Sequence, residues 1–206
     1  MARKKEAPIK LPPPILKGKI SIEEAISKRR SFRRFGAQPI SLAQISQLLW
    51  SAQGITSTSG RRAVPSAGAT YPLEIFVVIG EHGIESLAAG IYHYDVDNHS
   101  LSLHMKGDLR QKLADTALGQ SFISNCPVDI VVCALPHKTA YRYGRRGERY
   151  VHIEVGHVGQ NVSLQAVALG LATVMVGAFD DEDVGKVLKL EEQIKPLYII
   201  PVGKPV

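Results

Sequence analysis

Apolar residues recur at helical spacing through one long segment in the second half of the chain. Residues 155–179 contain no Asp, Glu, Lys or Arg. Steps of three and four residues separate the main apolar positions, which are Val151, Val155, Val158, Val162, Ala166 and Leu169. A second apolar face follows through Ile153, Leu164, Ala168 and Leu171. This period predicts a helix that is buried on more than one side. A membrane span is the rival, but unpartnered His157, Gln160 and Asn161 would be costly in lipid.

The pattern changes after this helix. Residues 172–176 are short, apolar and partly β-branched, which predicts a buried strand. Gly177 then ends the strand, and Asp180 and Asp181 open another helix. Ligands often bind at the carboxyl ends of strands in sheets flanked by helices. Gly177 is therefore a candidate for presenting a backbone N–H to a ligand, with an ordinary turn glycine as the alternative.

Two helix-start signals occur in the first quarter of the chain. Ser21 with Glu24 and Ser41 with Gln44 have the spacing of capping boxes, and Gly54 is a plausible end for the second helix. The buried face of the first helix is predicted to contain Ile22, Ala25 and Ile26. The buried face of the second is predicted to contain Leu42, Ile45, Leu48, Leu49 and Ala52.

Five further segments have the composition of strands, namely residues 74–79, 90–94, 100–104, 128–134 and 197–202. Asp108 is predicted to cap a helix, and the polar segments 55–72 and 135–148 are predicted to be loops. Because strands interleave with helices and one pair forms a hairpin, we expect an α/β (α+β) fold with a mixed central sheet between helical layers. One domain is expected over residues 20–206, after an extended basic arm over residues 1–19.

Basic charge concentrates near the N-terminus. Residues 1–34 contain eleven Lys and Arg and three Glu, a net charge of +8, whereas the whole chain carries +6. The basic character therefore belongs to the arm and one motif. Nucleic-acid binding by the arm is the weaker interpretation, because no known reader motif accompanies it. Cys126 and Cys133 indicate buried reduced thiols, and no apolar signal segment opens the chain, so we expect a cytoplasmic protein.

Four residues at the end of the first predicted helix are suited to an anion: Arg29, Arg30, Ser31 and Arg33 in RRSFRRF. Guanidinium groups bind phosphate bidentately, and a nearby hydroxyl can add a hydrogen bond. The alternative is a solvated basic turn that complements the carboxyl end of the helix.

A second candidate binding segment is the loop PSAGATYP at residues 65–72, hereafter the Pro-Ser loop. Its small residues would let a planar ligand approach the backbone closely, although an ordinary surface loop is equally consistent with the pattern. His152 and His157 do not have H-x-x-x-H spacing, so we expect no metal site. The sequence shows no Ser-His-Asp arrangement and no phosphate-binding glycine loop.

Four segments together resemble the FMN-dependent nitroreductase family. RRSFRRF is similar to the family's R-x-S-x-R/K phosphate motif, and PSAGATYP is similar to its flavin-contacting loop. GHVGQNVSLQAVALGLATVMVGAFDDEDV resembles its central helix, strand and flavin-edge turn, and LYIIPVGKP resembles its last strand. Within the family, PSAGATYPLE, RYGRRGERY and VGAFDDE are most similar to the SagB-type and McbC-like dehydrogenases, which oxidise azolines to azoles in peptide maturation.

The resemblance implies a homodimer with two FMN molecules at the subunit interface. The phosphate and ribityl contacts would come from Arg29, Arg30, Ser31, Arg33 and Lys204. The isoalloxazine contacts would come from Val176, Gly177 and Ala178 near N5, and from Pro65, Ser66, Ala67 and Gly68 of the other subunit. Two features depart from the family pattern. Ala69 and Tyr71 stand where many members carry Asn and Gln, and Arg142-Tyr143 stands where azoline oxidases carry a Lys-Tyr pair.

The function implied by the resemblance is a ping-pong oxidoreductase. Flavin N5 would pass hydride from a reduced donor such as NAD(P)H to a small organic acceptor. Tyr143 is the candidate catalytic proton donor. The first alternative is a SagB- or McbC-type azoline dehydrogenase that acts on peptides with partner proteins, although Arg142 does not readily serve as a base. The alternative from another class is a protein that binds flavin or nucleic acid without turnover.

Overall fold

The structure is a computed structural model that describes residues 6–206. Within this range the strands are β1 Ile9–Lys10, β2 Leu73–Ile79, β3 Gly90–Asp95, β4 Ser100–Lys106, β5 Val128–Ala134, β6 Ala172–Thr173 and β7 Lys195–Gly203. The helices are α1 Ile22–Lys28, α2 Leu42–Gln53, α3 Arg110–Thr116, α4 Ser121–Asn125, α5 Pro136–Tyr143, α6 Arg146–Ala168 and α7 Asp181–Leu188. A 3₁₀ turn spans Ala67–Ala69.

The seven strands form one sheet in the order β1-β4-β3-β2-β5-β7-β6. Neighbouring strands in this order pair antiparallel. Parallel contacts occur as isolated bridges, Ser31 with Thr173 and Ile40 with Ile84. The interior strand β5 is buried at all seven positions, and these include Asp129, the one charged residue of an otherwise apolar strand.

Helices cover both faces of this sheet. Alternate residues of β2 point to opposite sides, as strand geometry requires. Leu73 and Ile75 join a core that contains buried residues of α2 and α6. Phe76 and Val78 join a second core that contains buried residues of α3, α4 and α7. Burial of each such side chain stabilises the fold by about 1.5–3 kcal/mol. The predicted α+β fold, with a sheet between helical layers, is confirmed. The predicted mixed sheet is corrected, because all named strands pair antiparallel and parallel pairing is limited to isolated bridges.

The long helix α6 buries one of its two predicted apolar faces. Val151, Val155, Val158, Val162 and Ala166 are all 5% exposed or less and pack in the first core. The opposite side is different, because Ile153 is 49% exposed and Gly156, His157 and Gln160 are exposed beside it. No helix within residues 6–206 is long and apolar enough to cross a membrane.

The first helix does not bury the face that its apolar residues predict. Ser21 caps α1 by accepting a hydrogen bond from Glu24 N at 3.1 Å. However, Ile22 and Ile26 are each 56% exposed, and Ala25 is the buried residue of the helix. The Glu24 side chain pairs with Lys28 rather than returning to the cap. The capping box at Ser41, by contrast, is complete, and Gly54 ends α2 as predicted.

Two local predictions were wrong. The polar segment 135–148 is mostly helical, because Pro136 opens α5 in the first turn, where proline is favoured, and Gly144 ends it at a φ of 55°. Asp108 does not cap α3, whose N-cap is Leu109. The Asp108 carboxylate instead pairs with Arg110 at 2.6 Å and accepts a hydrogen bond from Glu81 N. The burial of Cys126 and Cys133 as free thiols agrees with the sequence.

The second half of the basic arm packs on the body of the same chain. Strand β1 pairs with β4, and Leu11 is 3% exposed. The carbonyl of Pro12 accepts hydrogen bonds from Ser46 Oγ at 2.6 Å and from His99 Nε2 at 3.0 Å. Since that carbonyl can only accept, His99 carries its proton on Nε2. Residues 1–5 of the predicted arm lie outside the described residues.

Candidate functional site

The basic motif lies along the end of the sheet, directly after α1. The helix ends at Lys28, and the N–H of the C-cap residue Arg29 donates to Ala25 O at 3.0 Å. Ser31 then forms a parallel bridge with Thr173 of β6, and Phe32 N donates to Thr173 O at 3.0 Å. Backbone pairing therefore fixes the path of this segment.

The side chains of the motif are accessible and carry uncompensated positive charge. Arg30, Ser31 and Arg33 are exposed, and Arg29 is half-buried. Among residues 6–206, no carboxylate forms an ion pair with these three arginines. Arg30 donates to backbone carbonyls, and the Arg33 guanidinium lies 6.0 Å from the centroid of the Phe122 ring. A bound phosphate would relieve the repulsion among these cations through charge-assisted hydrogen bonds.

Lys204 reaches the same edge from the end of β7. Gly36 N donates to Lys204 O at 2.9 Å, and Phe35 forms an antiparallel bridge with Pro205. The structure thus brings the backbone of Lys204 next to the end of the basic motif, and its side chain is exposed. We refer to residues 29–33 together with Lys204 as the basic edge.

The turn around Gly177 is rigid and open on one side. Val176 is anchored by two hydrogen bonds with Ile199, at 2.9 and 3.0 Å. Gly177 and Ala178 are exposed, and Ala178 O accepts a hydrogen bond from Gln120 Nε2 at 3.1 Å. Within residues 6–206 the Gly177 N–H has no hydrogen-bond acceptor, so this donor is available. The turn leads into α7, which Asp180 caps as the sequence predicts.

Tyr198 of β7 is a neighbour of this turn that the sequence analysis did not single out. A Cβ added at Gly177 would lie 3.5 Å from its ring, and one added at Gly159 of α6 would lie 3.2 Å from it. The two glycines therefore leave room for the same ring. Tyr198 lies in an apolar strand, where an aromatic residue is expected for packing alone, so the sequence did not indicate that it belongs to the site.

The Pro-Ser loop adopts a strained conformation next to α5. Gly68, Ala69 and Tyr71 all have positive φ, at 58°, 53° and 45°. This region costs roughly 1–2 kcal/mol for each residue that has a Cβ. Several contacts offset the cost: Tyr71 N donates to Ser66 Oγ at 3.0 Å, and the Thr70 hydroxyl contacts that of buried Thr139 at 2.8 Å.

Tyr143 and Arg142 lie against this loop from the end of α5. Arg142 Nη1 donates to Gly68 O at 3.2 Å. A Cβ added at Gly68 would lie 2.6 Å from the Tyr143 hydroxyl. The Tyr143 ring also stacks edge-on against Tyr150 of α6, with 5.1 Å between centroids. The structure thus places the candidate catalytic residue beside the Pro-Ser loop.

The predicted site residues form two groups within one chain. The basic edge and the Gly177 turn belong to the side of the sheet that ends in β7 and β6. The Pro-Ser loop and Tyr143 lie near the amino-terminal end of α6. Among residues 6–206, no hydrogen bond or ion pair joins the Pro-Ser loop to residues 29–33. No group of three or more His, Cys, Asp or Glu that could hold a metal occurs in this range.

A buried polar cluster behind the Pro-Ser loop was also missed. Glu154 of α6 is 2% exposed, and its carboxylate accepts a hydrogen bond from Gln53 Nε2 at 3.5 Å. Gln53 Oε1 in turn accepts from Arg62 Nη1 at 2.8 Å, and the Arg62 guanidinium lies 4.6 Å from the centroid of the Tyr71 ring. Burial raises the pKa of the Glu154 carboxyl more than these donors lower it. The sequence signal that could have indicated this cluster was Glu154 itself, an acidic residue among the buried valines of α6.

Comparison with known proteins identifies the family. A model of the nitroreductase family matches residues 26–204. The chain belongs to the nitroreductase family. A Methanocaldococcus jannaschii protein named as nitroreductase MJ1384 is 42% identical over 187 residues, which cover 91% of this chain and 92% of that relative. The crystal structure of a Ralstonia eutropha protein described as a nitroreductase matches with a TM-score of 0.85 and 27% identity, covering 98% of this chain and 90% of the other.

A microcin-processing protein is also among the similar proteins. The microcin B17-processing protein McbC of Escherichia coli is 29% identical over 145 residues. This match covers 68% of this chain and 53% of McbC, so the chain spans about half the length of that relative. The E. coli McbBCD microcin synthetase complex matches with a TM-score of 0.74 and 26% identity, over 93% of this chain and 76% of the matched chain.

Membership makes this protein an oxidoreductase of the FMN type, and members of the family are flavoproteins. The residues present fit such a cofactor. The basic edge offers several cations to a terminal phosphate, and the Gly177 turn offers an N–H that is unpaired among residues 6–206, at a residue with no side chain of its own.

Proposed function

We propose that this protein binds FMN along the basic edge and the Gly177 turn, and uses it to transfer hydride between two small substrates. The observation that carries the proposal is the set of accessible cations without carboxylate partners on the basic edge. That edge pairs with β6, and the same chain segment continues from β6 to Gly177. A ligand with a phosphate at one end and a planar ring at the other matches this order.

Each group of residues has a distinct role in this proposal. Arg29, Arg30, Ser31, Arg33 and Lys204 bind the phosphate and ribityl groups. Val176, Gly177 and Ala178 line the isoalloxazine ring. Pro65, Ser66, Ala67 and Gly68 reach the ring from the second subunit. Each charge-assisted hydrogen bond to the phosphate contributes about 1.5–3 kcal/mol, so the arginines dominate affinity.

The complete site is proposed to form in a homodimer. Ile153, Gly156, His157 and Gln160 form an exposed stripe on α6, and α1 adds exposed Ile22 and Ile26. Burying such isoleucines against a second copy is favourable, at about 25 cal/mol for each Å² of apolar surface. Pairing two chains in this way would also bring the Pro-Ser loop of one chain to the basic edge of the other.

The chemistry proposed is a ping-pong reaction with a reduced donor such as NAD(P)H and a small organic acceptor. Bound FMN supplies the acceptance and release of hydride at N5. The Gly177 N–H would stabilise negative charge on the ring, because among residues 6–206 this donor has no other acceptor. Tyr143 donates a hydrogen bond or proton to the acceptor from its position beside Gly68.

A second candidate is an azoline dehydrogenase that acts on peptides with partner proteins. The similarity to McbC and to the McbBCD complex favours it. Arg142 disfavours it, since a guanidinium does not lose its proton readily and stands where this branch carries lysine.

The test is to purify the protein, release its ligand by denaturation and identify it by mass. We expect FMN in a dimer, reduction of the flavin by NADH or NADPH, and reoxidation by a nitroaromatic or quinone in stopped-flow absorbance. Bound flavin that no donor reduces and no acceptor reoxidises would favour a non-catalytic binder. Reoxidation by an azoline peptide alone, in the presence of partner proteins, would favour the second candidate.

A further inference from the structure

The ring of Tyr198 stands between the Gly177 turn and α6. One edge of the ring lies 3.2 Å from a Cβ added at Gly159 of α6, and the other edge lies 3.5 Å from a Cβ added at Gly177. On each side the nearest ring atom is a Cε atom, so the hydroxyl end of the ring lies between the helix and the turn. The ring therefore fills the space that a side chain at Gly177 would enter.

The sheet fixes the direction of this side chain. Tyr198 lies opposite Val132 in the pairing of β7 with β5. Because successive residues of a strand point to opposite faces, Tyr198 packs on the core that contains α6, whereas Ile199 belongs to the second core. Two backbone hydrogen bonds between Ile199 and Val176 hold the start of the turn on the same strand. The ring and the turn are therefore held in a fixed relation to each other.

The hydroxyl of Tyr198 has no role in the packing of the single chain. The tyrosine hydroxyls that form hydrogen bonds among residues 6–206 are those of Tyr71, Tyr92 and Tyr94. The Tyr198 hydroxyl is also not one of the enclosed polar atoms that lack a partner in this range, and the residue is half-buried, so the hydroxyl reaches the surface. Phenylalanine would pack equally well between the two glycines. A packed ring with an accessible hydroxyl is typical of tyrosines that meet a ligand or a partner.

Two unpaired polar groups thus lie at the end of the proposed flavin site that would hold the isoalloxazine, here called the ring end. Among residues 6–206 the Gly177 N–H has no acceptor, and the Tyr198 hydroxyl adds a group that can donate or accept. Carbonyl oxygens and ring nitrogens follow one edge of an isoalloxazine, whereas its dimethylbenzene edge is apolar. The polar edge of the flavin therefore matches this pair of groups.

We propose that Tyr198 is a cofactor-contact residue whose hydroxyl donates a hydrogen bond to the polar edge of the flavin ring, beside the Gly177 N–H. This inference rests on the proposed flavin site. The Tyr198 ring keeps α6 and the turn at the distance that the fold requires, and the hydroxyl contributes affinity for a ring that carries hydrogen-bond acceptors. Tyr198 thus recognises the ring of the cofactor, whereas the basic edge recognises its phosphate.

The test compares Tyr198→Phe, which removes the hydroxyl alone, with Tyr92→Phe as the matched control. The Tyr92 hydroxyl donates to Ala88 O at 2.9 Å, and Tyr92 lies on β3, which two strands separate from β7. Flavin-free protein is titrated with FMN and with riboflavin, which has the same ring and no phosphate, and binding is followed by fluorescence. Thermal unfolding of the flavin-free protein is measured in parallel.

We expect Tyr198→Phe to weaken the binding of FMN and of riboflavin by the same factor, about three- to tenfold, because one neutral hydrogen bond to the ring is lost. Without flavin this variant should unfold at the wild-type temperature, since its hydroxyl has no partner among residues 6–206. Tyr92→Phe should show the opposite result, with wild-type affinities and an unfolding temperature lower by about 2–4 °C. Replacing Arg29 and Arg33 with Ala should weaken FMN binding and leave riboflavin binding unchanged.

Wild-type affinity of Tyr198→Phe for both flavins would overturn the inference and leave the proposed flavin site standing. Weaker FMN binding with unchanged riboflavin binding would also overturn it, because the hydroxyl would then act at the phosphate end. A lower unfolding temperature of flavin-free Tyr198→Phe would show that the hydroxyl has a partner inside the protein, which contradicts the proposal. Absence of FMN binding by the wild type would refute the proposed function itself, and this inference with it.

Discussion

The basic edge and the Pro-Ser loop differ in what determines their conformation. Residues 29–33 follow the sheet through backbone contacts, the bridge between Ser31 and Thr173 and the hydrogen bond from Phe32 N. The side chains of Arg30, Ser31 and Arg33 are exposed and accessible to a ligand. The Pro-Ser loop has strained backbone and is held by side chains from α5. Side-chain replacements should therefore remove binding from the first region and change conformation in the second.

The largest expected effect comes from breaking the proposed dimer, which would bring the Pro-Ser loop of one chain to the basic edge of the other. Gly156→Arg places a long cation on the exposed stripe of α6, where an added Cβ meets nothing within 4 Å in its own chain. We expect a folded monomer that no longer retains flavin, measured by light scattering and by the flavin-to-protein absorbance ratio. Gly185→Arg, on α7 with equally open surroundings, is the control and should remain dimeric.

A dimer that keeps its flavin in Gly156→Arg would refute the proposed interface. Gly159 is not suited to this test, although it belongs to the same helix. A Cβ there would lie 3.1 Å from Met175 Sδ and 3.2 Å from the Tyr198 ring, so substitution would disturb the fold of the single chain.

The next largest effect is expected on the basic edge. Replacing both Arg29 and Arg33 with Ala should weaken FMN binding by about 3–6 kcal/mol if two charge-assisted bonds are lost. The measurement is a titration of the flavin-free protein with FMN, followed by fluorescence. Lys17→Ala with Lys19→Ala removes the same charge from the arm and should have little effect. Full FMN occupancy in the Arg29 and Arg33 double variant would show that the phosphate binds elsewhere.

A smaller effect is expected at Tyr143 beside the loop. Tyr143→Phe should leave FMN bound and slow reoxidation by the acceptor by about 10²-fold if a proton donor is lost. Tyr141→Phe is the control, because Tyr141 lies on the same helix and is 97% exposed. Stopped-flow absorbance separates the two half-reactions, and wild-type rates for both in Tyr143→Phe would leave this tyrosine a packing role only.

The smallest effect is expected from a single methyl group in the Pro-Ser loop. Gly68→Ala and Gly60→Ala both place a side chain at positive φ, at 58° and 76°. Only at Gly68 would the methyl group meet neighbours, the Tyr143 hydroxyl and the Arg142 guanidinium. We expect each change to lower stability by about 1–2 kcal/mol, from thermal unfolding, and Gly68→Ala alone to weaken FMN binding. Equal FMN affinity in both variants would show that the Pro-Ser loop is not part of the flavin site.

Features that depend on neighbouring residues were predicted correctly from the sequence. The capping box at Ser41, the N-cap at Asp180 and the buried strand β5 appear where they were predicted. These features depend on neighbouring residues or on a simple period, so the amino-acid order contains them. The helix α5 was missed because its segment has many charged and polar residues and no apolar stripe, and its stability comes from packing against α6. Gly147 shows this contact, since a Cβ there would lie 2.6 Å from Ala140 Cα.

Candidate residues for the site were recognised by type, and their expected grouping came from family resemblance and not from the residue pattern. Arg29, Ser31 and Arg33 are recognisable as an anion motif from the sequence. That Lys204 lies beside them depends on the pairing of distant segments. Glu154 and Tyr198 were missed because one acid or one aromatic residue in an apolar element has no local signal for its partners.

The sequence by itself determined the helices and strands that have clear periods, the basic motif and the membership of a flavoprotein family. Tertiary structure decided which apolar faces are buried, leaving Ile22, Ile26 and Ile153 exposed where the sequence predicted burial. It also decided that no hydrogen bond or ion pair joins the basic edge to the Pro-Ser loop among residues 6–206, and that the Glu154 carboxylate is buried against Gln53. The physical reason is that burial and polar partnership are properties of residues far apart in sequence, whereas capping and periodicity are properties of neighbours.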